Sequence, residues 1–190
     1  MSLKELVYTN RSYRRYHQDV KISLSTLKEL VDLARMSASA MNIQPLKYML
    51  SCDPAKNALI FPTLGWAMQL KDWPGPEEGE RPSAYIIILG DLLISKHFGV
   101  DPGIAAQSIL LGAIEKGLGG CMIATIKKKE LAEALKIREV FEIVLVIALG
   151  KPKEKVIVEK VGLDGKTGYW RDAERGHHVP KRSLEEIILG

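Results

Sequence analysis

The chain has 190 residues, 46% hydrophobic and 26% charged, and its 27 Lys and Arg against 23 Asp and Glu leave a net charge of +4. That is enough apolar material for one substantial core, so a single globular domain over residues 1–190 is expected. A basic excess this small, spread along the chain, favours small anionic ligands over wholesale nucleic-acid binding.

The first residues, MSLKELVYTNRS, form a short helix without the apolar centre of a signal peptide, and no apolar run approaches the roughly 20 residues of a membrane span, so a cytoplasmic location with no membrane partner is expected. SLSTLKELVDLARMSAS then places Leu27, Leu30, Val31 and Ala34 at helical spacing behind Ser23 or Ser25 as cap. LKYMLSC reads as a strand ended by Pro54. The segment DWPGPEEGERP, residues 72–82, carries too much Pro and Gly for a helix or central strand and reads as a long loop or lid. AYIIILGD and FEIVLVIALGKP are continuous apolar runs bounded by turn residues, the pattern of strands buried on both faces. Between them, DPGIAAQSILLGAIEKGLGG predicts a helix with Asp101 at its N-cap and Pro102 at N1, closed by Gly117 to Gly120 before a strand CMIATI. KKKELAEALK supplies another helix, and SLEEII opens with a capping box of Ser183 and Glu186. The segment from Gly162 to Pro180 looks irregular, yet its Tyr169, Trp170, His177 and His178 predict that it packs across something, a second subunit included.

Several chemistries lack their motifs. GLGGCM has Met122 where a dinucleotide fingerprint needs its third glycine, and there is no phosphate-binding GxxxxGK[ST] and no GxSxG. Cys52 and Cys121 have no metal-ligand spacing and read as buried small hydrophobes. His177 and His178, adjacent on extended chain, point to opposite sides, so no metal site is expected. What remains are two basic clusters. NRSYRRY sets Arg11 and Arg14 around Ser12, a grouping able to hold a phosphate or to stand as solvated surface. Lys181 and Arg182 precede the helix at Ser183, an unfavourable place for cations unless an anion is also present, or simply a basic turn.

Four segments, RSYRRY, SAMNIQP, DPGIAAQSILLGAIEKGLGGCMIATI and HHVPKRSLEEII, together resemble the nitroreductase family of FMN-dependent oxidoreductases. The first two follow the family patterns RRSxRxF and SxxNxQPW in order and spacing, with Asn10, Tyr16 and Leu46 as departures. The resemblance implies an α+β fold with a mixed central β-sheet flanked by helices, and a homodimer with two FMN sites at the subunit interface. It implies that Arg11 and Ser12 meet the FMN phosphate together with Lys181 and Arg182, that Arg14 lies toward the ribityl chain and pyrimidine edge, and that backbone groups of Ile123, Ala124 and Thr125 face N5 and the C4 carbonyl. The loop of Ala38, Ser39, Ala40, Asn42 and Gln44 would come from the second subunit, with Ser39 and Asn42 bonding the ring and Gln44 touching it or holding the loop in shape. Trp66 and Trp73 are candidates for a substrate lid. NADH or NADPH would donate electrons and a nitroaromatic, quinone or similar small acceptor would receive them in a ping-pong cycle, with no side chain acting as nucleophile or base. An FMN-binding or sensing protein without rapid turnover is the alternative. A small basic RNA-binding module is a more distant one, against which stands the lack of RNP-like aromatic motifs.

Overall fold

The computed structural model describes residues 1–190. Its centre is the strand β5 (Phe141–Pro152), which pairs antiparallel with β3 (Ala84–Asp91) along one side, Ala84 opposite Leu149 and Asp91 opposite Phe141. It also pairs antiparallel with β4 (Gly119–Ile123), Gly119 opposite Gly150 and Ile123 opposite Val146. β2 (Leu46–Ser51) closes the far edge on β3, and the two-residue β1 (Tyr16–His17) pairs with the end of β5, Tyr16 opposite Pro152. Since β3 and β4 both run against β5, they run with each other, and α4 (Asp101–Glu115) carries the chain from one to the other as the expected strand–helix–strand unit.

The two-residue period of β3 and β5 decides where the helices sit, because successive side chains face opposite sides of a sheet. Ile86, Ile88, Ile147 and Leu149 pack with Leu27 and Leu30 of α2 (Leu24–Arg35) and with Ala106, Ile109 and Ala113 of α4. Tyr85, Ile87, Leu89, Val146 and Ala148 pack with Ile60 of α3 (Pro54–Ile60), Leu131 of α5 (Lys128–Leu135) and Trp66. All eight residues of β3 are buried, which is why its sequence shows no apolar–polar alternation. Ser23 caps α2, accepting from the Thr26 N–H at 3.0 Å.

Three expectations are corrected. Asp101 is the first residue of α4 and does not cap it; Val100 holds the cap position, and the Asp101 carboxylate is engaged by the loop at Ser39 instead. The strand expected over CMIATI begins at Gly119 and ends at Ile123. Gly120 belongs inside it because a Cβ there would lie 2.6 Å from the Ala148 carbonyl oxygen, so only glycine lets β4 approach β5 this closely. The segment from Gly162 to Pro180 is not irregular throughout. Within it β7 (Trp170–Arg171) and most of β8 (His177–Lys181) join β6 (Val156–Lys160) in a second sheet, with β6 and β8 parallel and β7 antiparallel to β8. The mixed strand directions lie there and in the parallel bridge of Ser12 with Gly120. Within the chain, Tyr169 and His177 of this segment pack on Arg14.

Two short helices lie at the ends. α1 (Leu3–Thr9) has a capping box of Ser2 and Glu5 and no buried residue, and in α6 (Leu184–Ile187) Glu186 accepts from the Ser183 N–H at 2.9 Å. No helix is long and apolar enough to cross a membrane.

Candidate active site

Arg14 and Arg15 are neighbours on extended chain, and they part to opposite sides. Arg15 turns to Glu80. Arg14, only 8% exposed, has its N–H fixed by Glu154 Oε2 at 2.9 Å, while its Nη1 donates to the Ser12 carbonyl at 3.2 Å and lies 3.2 Å from His177 Nε2. The Tyr169 ring covers the guanidinium, 4.7 Å from ring centre to Cζ. No carboxylate lies within ion-pair distance of it: the two oxygens of Glu154 are taken by the Arg14 N–H and by Arg171 Nη2. A cation so thoroughly removed from water without a counter-charge is an uncommon arrangement.

This side chain lines a cavity of about 300 Å³ together with Trp66, Ala67, Met68, Met122, Ala124 and Thr125. The cavity opens where β4 ends. Beyond Ile123 the strand leaves β5, and the N–H groups of Ala124 and Thr125 have no main-chain acceptor, while the Thr125 carbonyl accepts from Gly65 at 2.8 Å. The wall is therefore largely apolar, with two unused backbone donors and one cation. Cys121, also on β4, is buried, and burial raises its thiol above the usual range, so it is protonated at neutral pH.

The SAMNIQP loop occupies a different place, beside a second cavity of about 210 Å³ lined by Ala38, Ser39, Gln44, Pro45 and Asp101 among others. Ser39 Oγ donates to Asp101 Oδ2 at 2.6 Å and accepts from the Gln44 N–H at 2.9 Å, and the Ala40 N–H donates to Asp101 Oδ1 at 3.1 Å. Gln44 Nε2 reaches back to the Asn42 carbonyl at 3.2 Å, so its side chain holds the loop in shape. Met41, Asn42 and Gln44 have φ of 49°, 54° and 53°. Asn adopts this left-handed conformation readily, but for Met and Gln it carries a penalty of roughly 1–2 kcal/mol each, sustained only where surrounding bonds fix the backbone. The Ser39 hydroxyl, expected to bond the ring, is thus already committed within its own subunit.

The remaining predicted residues are dispersed. Arg11 folds back onto α1, Nη2 donating to the Val7 carbonyl at 2.6 Å, and its buried Nε has no partner. Ser12 bridges to Gly120, beside the groove wall. Arg182 pairs loosely with Glu186 at 3.5 Å, and Lys181 stands at the end of β8 with no carboxylate partner. From His177, beside Arg14, Lys181 is roughly 13 Å away along extended strand. No hydrogen bond joins Lys181 or Arg182 to Arg11 or Ser12. Trp66 is buried and lines the groove, whereas Trp73 is covered by Arg171, 4.0 Å from Cζ to ring centre, and lines a neighbouring cavity with Arg15 and Arg175. The loop of residues 72–82 is fastened rather than free at its C-terminal half: Gly79 and Arg81 N–H both donate to Gln18 Oε1, at 2.8 and 3.0 Å, and Glu80 is buried. The side chains that sequence reasoning missed are Glu154, Tyr169 and His177. The aromatic and histidine content of the segment before Pro180 was the available signal, and it pointed to packing without naming Arg14 as the target.

A family model described as "Nitroreductase family" matches residues 7–91 and 94–151. No curated protein matches the sequence. Among solved structures, a nitroreductase family protein from Clostridium difficile 630 aligns with a TM-score of 0.69 at 18% identity over 100% of this chain and 98% of its own. One from Clostridium novyi NT aligns at 0.67 with 22% identity over 98% of each chain. A nitroreductase-type protein of Exiguobacterium sibiricum 255-15, in complex with FMN, aligns at 0.67 with 18% identity over 81% of this chain and 90% of its own. At such identities the structural likenesses speak for the fold, while the family match runs from the N-terminal arginines through the whole central sheet. The chain belongs to the nitroreductase family.

Proposed function

We propose that the protein is an FMN-dependent oxidoreductase that draws electrons from NADH or NADPH and passes them to small electron-poor acceptors such as nitroaromatics or quinones. The observation that carries this reading is the buried Arg14 guanidinium, without a carboxylate partner, on the wall of an apolar groove beside the free N–H groups of Ala124 and Thr125. A planar, electron-accepting ring system with carbonyl and imine acceptors along one edge matches that donor set, and the FMN bound by the Exiguobacterium relative is of this class.

FMN held there would supply the redox chemistry, accepting reducing equivalents from the nicotinamide and releasing them to the acceptor. The chain's own residues orient and stabilise. With FMN held there, Arg14 would set a fixed positive charge against a ring that becomes more negative on reduction, and its low exposure would strengthen that interaction. Ala124 and Thr125 offer main-chain donors that need no reorganisation. Gly65 lets the 63–65 segment lie against Thr125, since a Cβ there would come 2.5 Å from Thr125 Cγ2. No groove side chain is needed as a nucleophile or base. Arg11, Ser12, Lys181 and Arg182 are assigned to the phosphate, and Trp66 to the acceptor face.

A homodimer is part of the proposal. The Ser39 loop is stiffened yet lies on another cavity from Arg14, and apolar side chains stay exposed on α1 (Leu3, Tyr8), on and beside α2 (Leu33, Met36) and at the C-terminal end (Ile188, Leu189). A second copy covering these would bring its own loop to the first copy's groove. The test is to purify the protein, reconstitute it with FMN, and assay NADH and NADPH oxidation against a panel of nitroaromatics and quinones. Flavin-dependent turnover is expected. A protein that keeps FMN but reacts with neither nicotinamide is a binding or sensing protein, and one that takes up no FMN overturns the proposal.

A further inference from the structure

Resting on that reading of the groove, we infer that His177 is a positioning residue for the Arg14 cation, its neutral imidazole accepting a hydrogen bond from the guanidinium and fixing how the charge faces the flavin. Arginine is always protonated and has no acceptor, so at the 3.2 Å contact Nη1 donates and His177 Nε2 accepts. Nε2 then carries no proton, and the neutral ring's only proton is on Nδ1. That nitrogen is buried and meets no partner in the chain. His177 is 1% exposed, and its ring lies 5.1 Å from that of Tyr169, which in turn covers the guanidinium. Arg14 therefore sits between an aromatic face and a neutral acceptor, and no carboxylate pairs with its guanidinium.

The choice of partner matters electrically. A carboxylate in the place of His177 would hold the guanidinium equally well but neutralise it, removing the field that favours a reduced, more negative ring. A histidine holds it while leaving the charge whole. For this the imidazole must stay uncharged, and the groups around it keep it so. Burial, aided by Arg14 and by the more distant Arg171 and His178, outweighs the opposing attraction of Glu154 and brings the His177 pKa down to about 4.

The test uses the FMN-reconstituted protein and two substitutions. His177→Phe keeps the bulk and removes the acceptor, whereas His177→Gln keeps an acceptor. Each is equilibrated with a redox dye at fixed poise, and the ratio of reduced to oxidised flavin is read at pH 7. Hydrogen bonds to charged groups are worth enough that the ratio in His177→Phe should fall roughly tenfold at unchanged FMN stoichiometry, with His177→Gln within about threefold of the parent. An unchanged ratio in a His177→Phe protein that retains FMN overturns the inference and leaves the flavin reading intact. A parent protein that binds no FMN defeats the flavin reading first. Should His177→Phe not fold, imidazole nitrogen shifts of the parent protein decide: the neutral ring with its proton on Nδ1 between pH 5 and 8 is required, and a proton on Nε2 refutes the role.

Discussion

Arg15 and Glu80 form a two-pronged buried ion pair, Nε to Oε2 at 2.5 Å and Nη2 to Oε1 at 2.6 Å, with side-chain exposures of 9% and 7%. Lys153 adds a third contact to Glu80 at 3.0 Å. Together they fasten the loop after Trp73 to the residue before β1 and the residue after β5. Glu80→Gln leaves Arg15 facing a neutral amide, and removing one partner of a buried pair typically costs about 3–5 kcal/mol. Urea unfolding at pH 7 should register that loss.

The same pair sets an acid limit. Hydrogen bonding from Arg15, reinforced by Lys153, lowers the Glu80 carboxyl from 4.5 to about 2. Since the folded value lies below the unfolded one, the contribution is complete above about 4.5 and is lost as pH falls toward 2. Thermal midpoints between pH 5 and 2 should fall more steeply for the parent than for Glu80→Gln; parallel curves would disprove the assignment.

Asp101 should be the anchor of the Ser39 loop. It is 4% exposed and receives both the Ser39 hydroxyl and the Ala40 N–H. Asp101→Asn replaces a charged acceptor by an amide and should destabilise the protein by roughly 1–3 kcal/mol. Amide exchange at Ala40 and Gln44 should quicken with it. In a double-mutant cycle with Ser39→Ala the two effects should be less than additive, because both act on the shared Ser39–Asp101 bond.

Glycine-to-alanine changes should have opposite signs at two positions. At Gly120 the new methyl meets the Ala148 carbonyl at 2.6 Å, and separating two paired strands to admit it should cost about 1–3 kcal/mol. At Gly103, inside α4, nothing lies within 4 Å, so Gly103→Ala should stabilise by roughly 0.5–1 kcal/mol through helix propensity. Chemical denaturation of the two variants side by side checks both.

Adjacent histidines should titrate in opposite directions. His178 lies between Asp172, 3.0 Å from Nε2, and Glu159, 2.9 Å from Nδ1, and stacks on Trp170 at 3.9 Å; these carboxylates raise its pKa above 6.5. It supports the folded state fully below 6.5, and that support goes as pH rises through its folded value. His177, lowered to about 4, does the reverse: stability falls as pH drops from 6.5 toward 4, because only the unfolded chain takes up the proton readily. Proton NMR of the four histidines should show one titrating above 6.5 and one near 4.

The sheet was legible in the sequence because β3 and β5 are long uninterrupted apolar runs, a pattern that depends on burial on both faces and not on any partner being known. Arg14, Ala124 and Thr125 were legible as one site only through the family likeness; nothing local to NRSYRRY says which of its arginines is buried. Asp101 was misread because an acid before Pro102 satisfies the rule for a helix cap, and the rule does not see that a loop some sixty positions away, 62 from Ser39, needs the same carboxylate more. His177 was beyond reach for the same reason. Its partner is 163 positions distant, and no periodicity reports on such a pairing.

That separation also orders assembly. Arg14 acquires its main-chain anchor from Glu154, 140 positions on, and its imidazole neighbour later still. On the ribosome Arg14 therefore waits, without these distant neighbours, until most of the protein has emerged, and contacts that close such long spans form slowly. The groove is thus among the last features to be finished, and a nascent chain halted after β5 would present the central sheet with Arg14 still lacking Glu154, Tyr169 and His177.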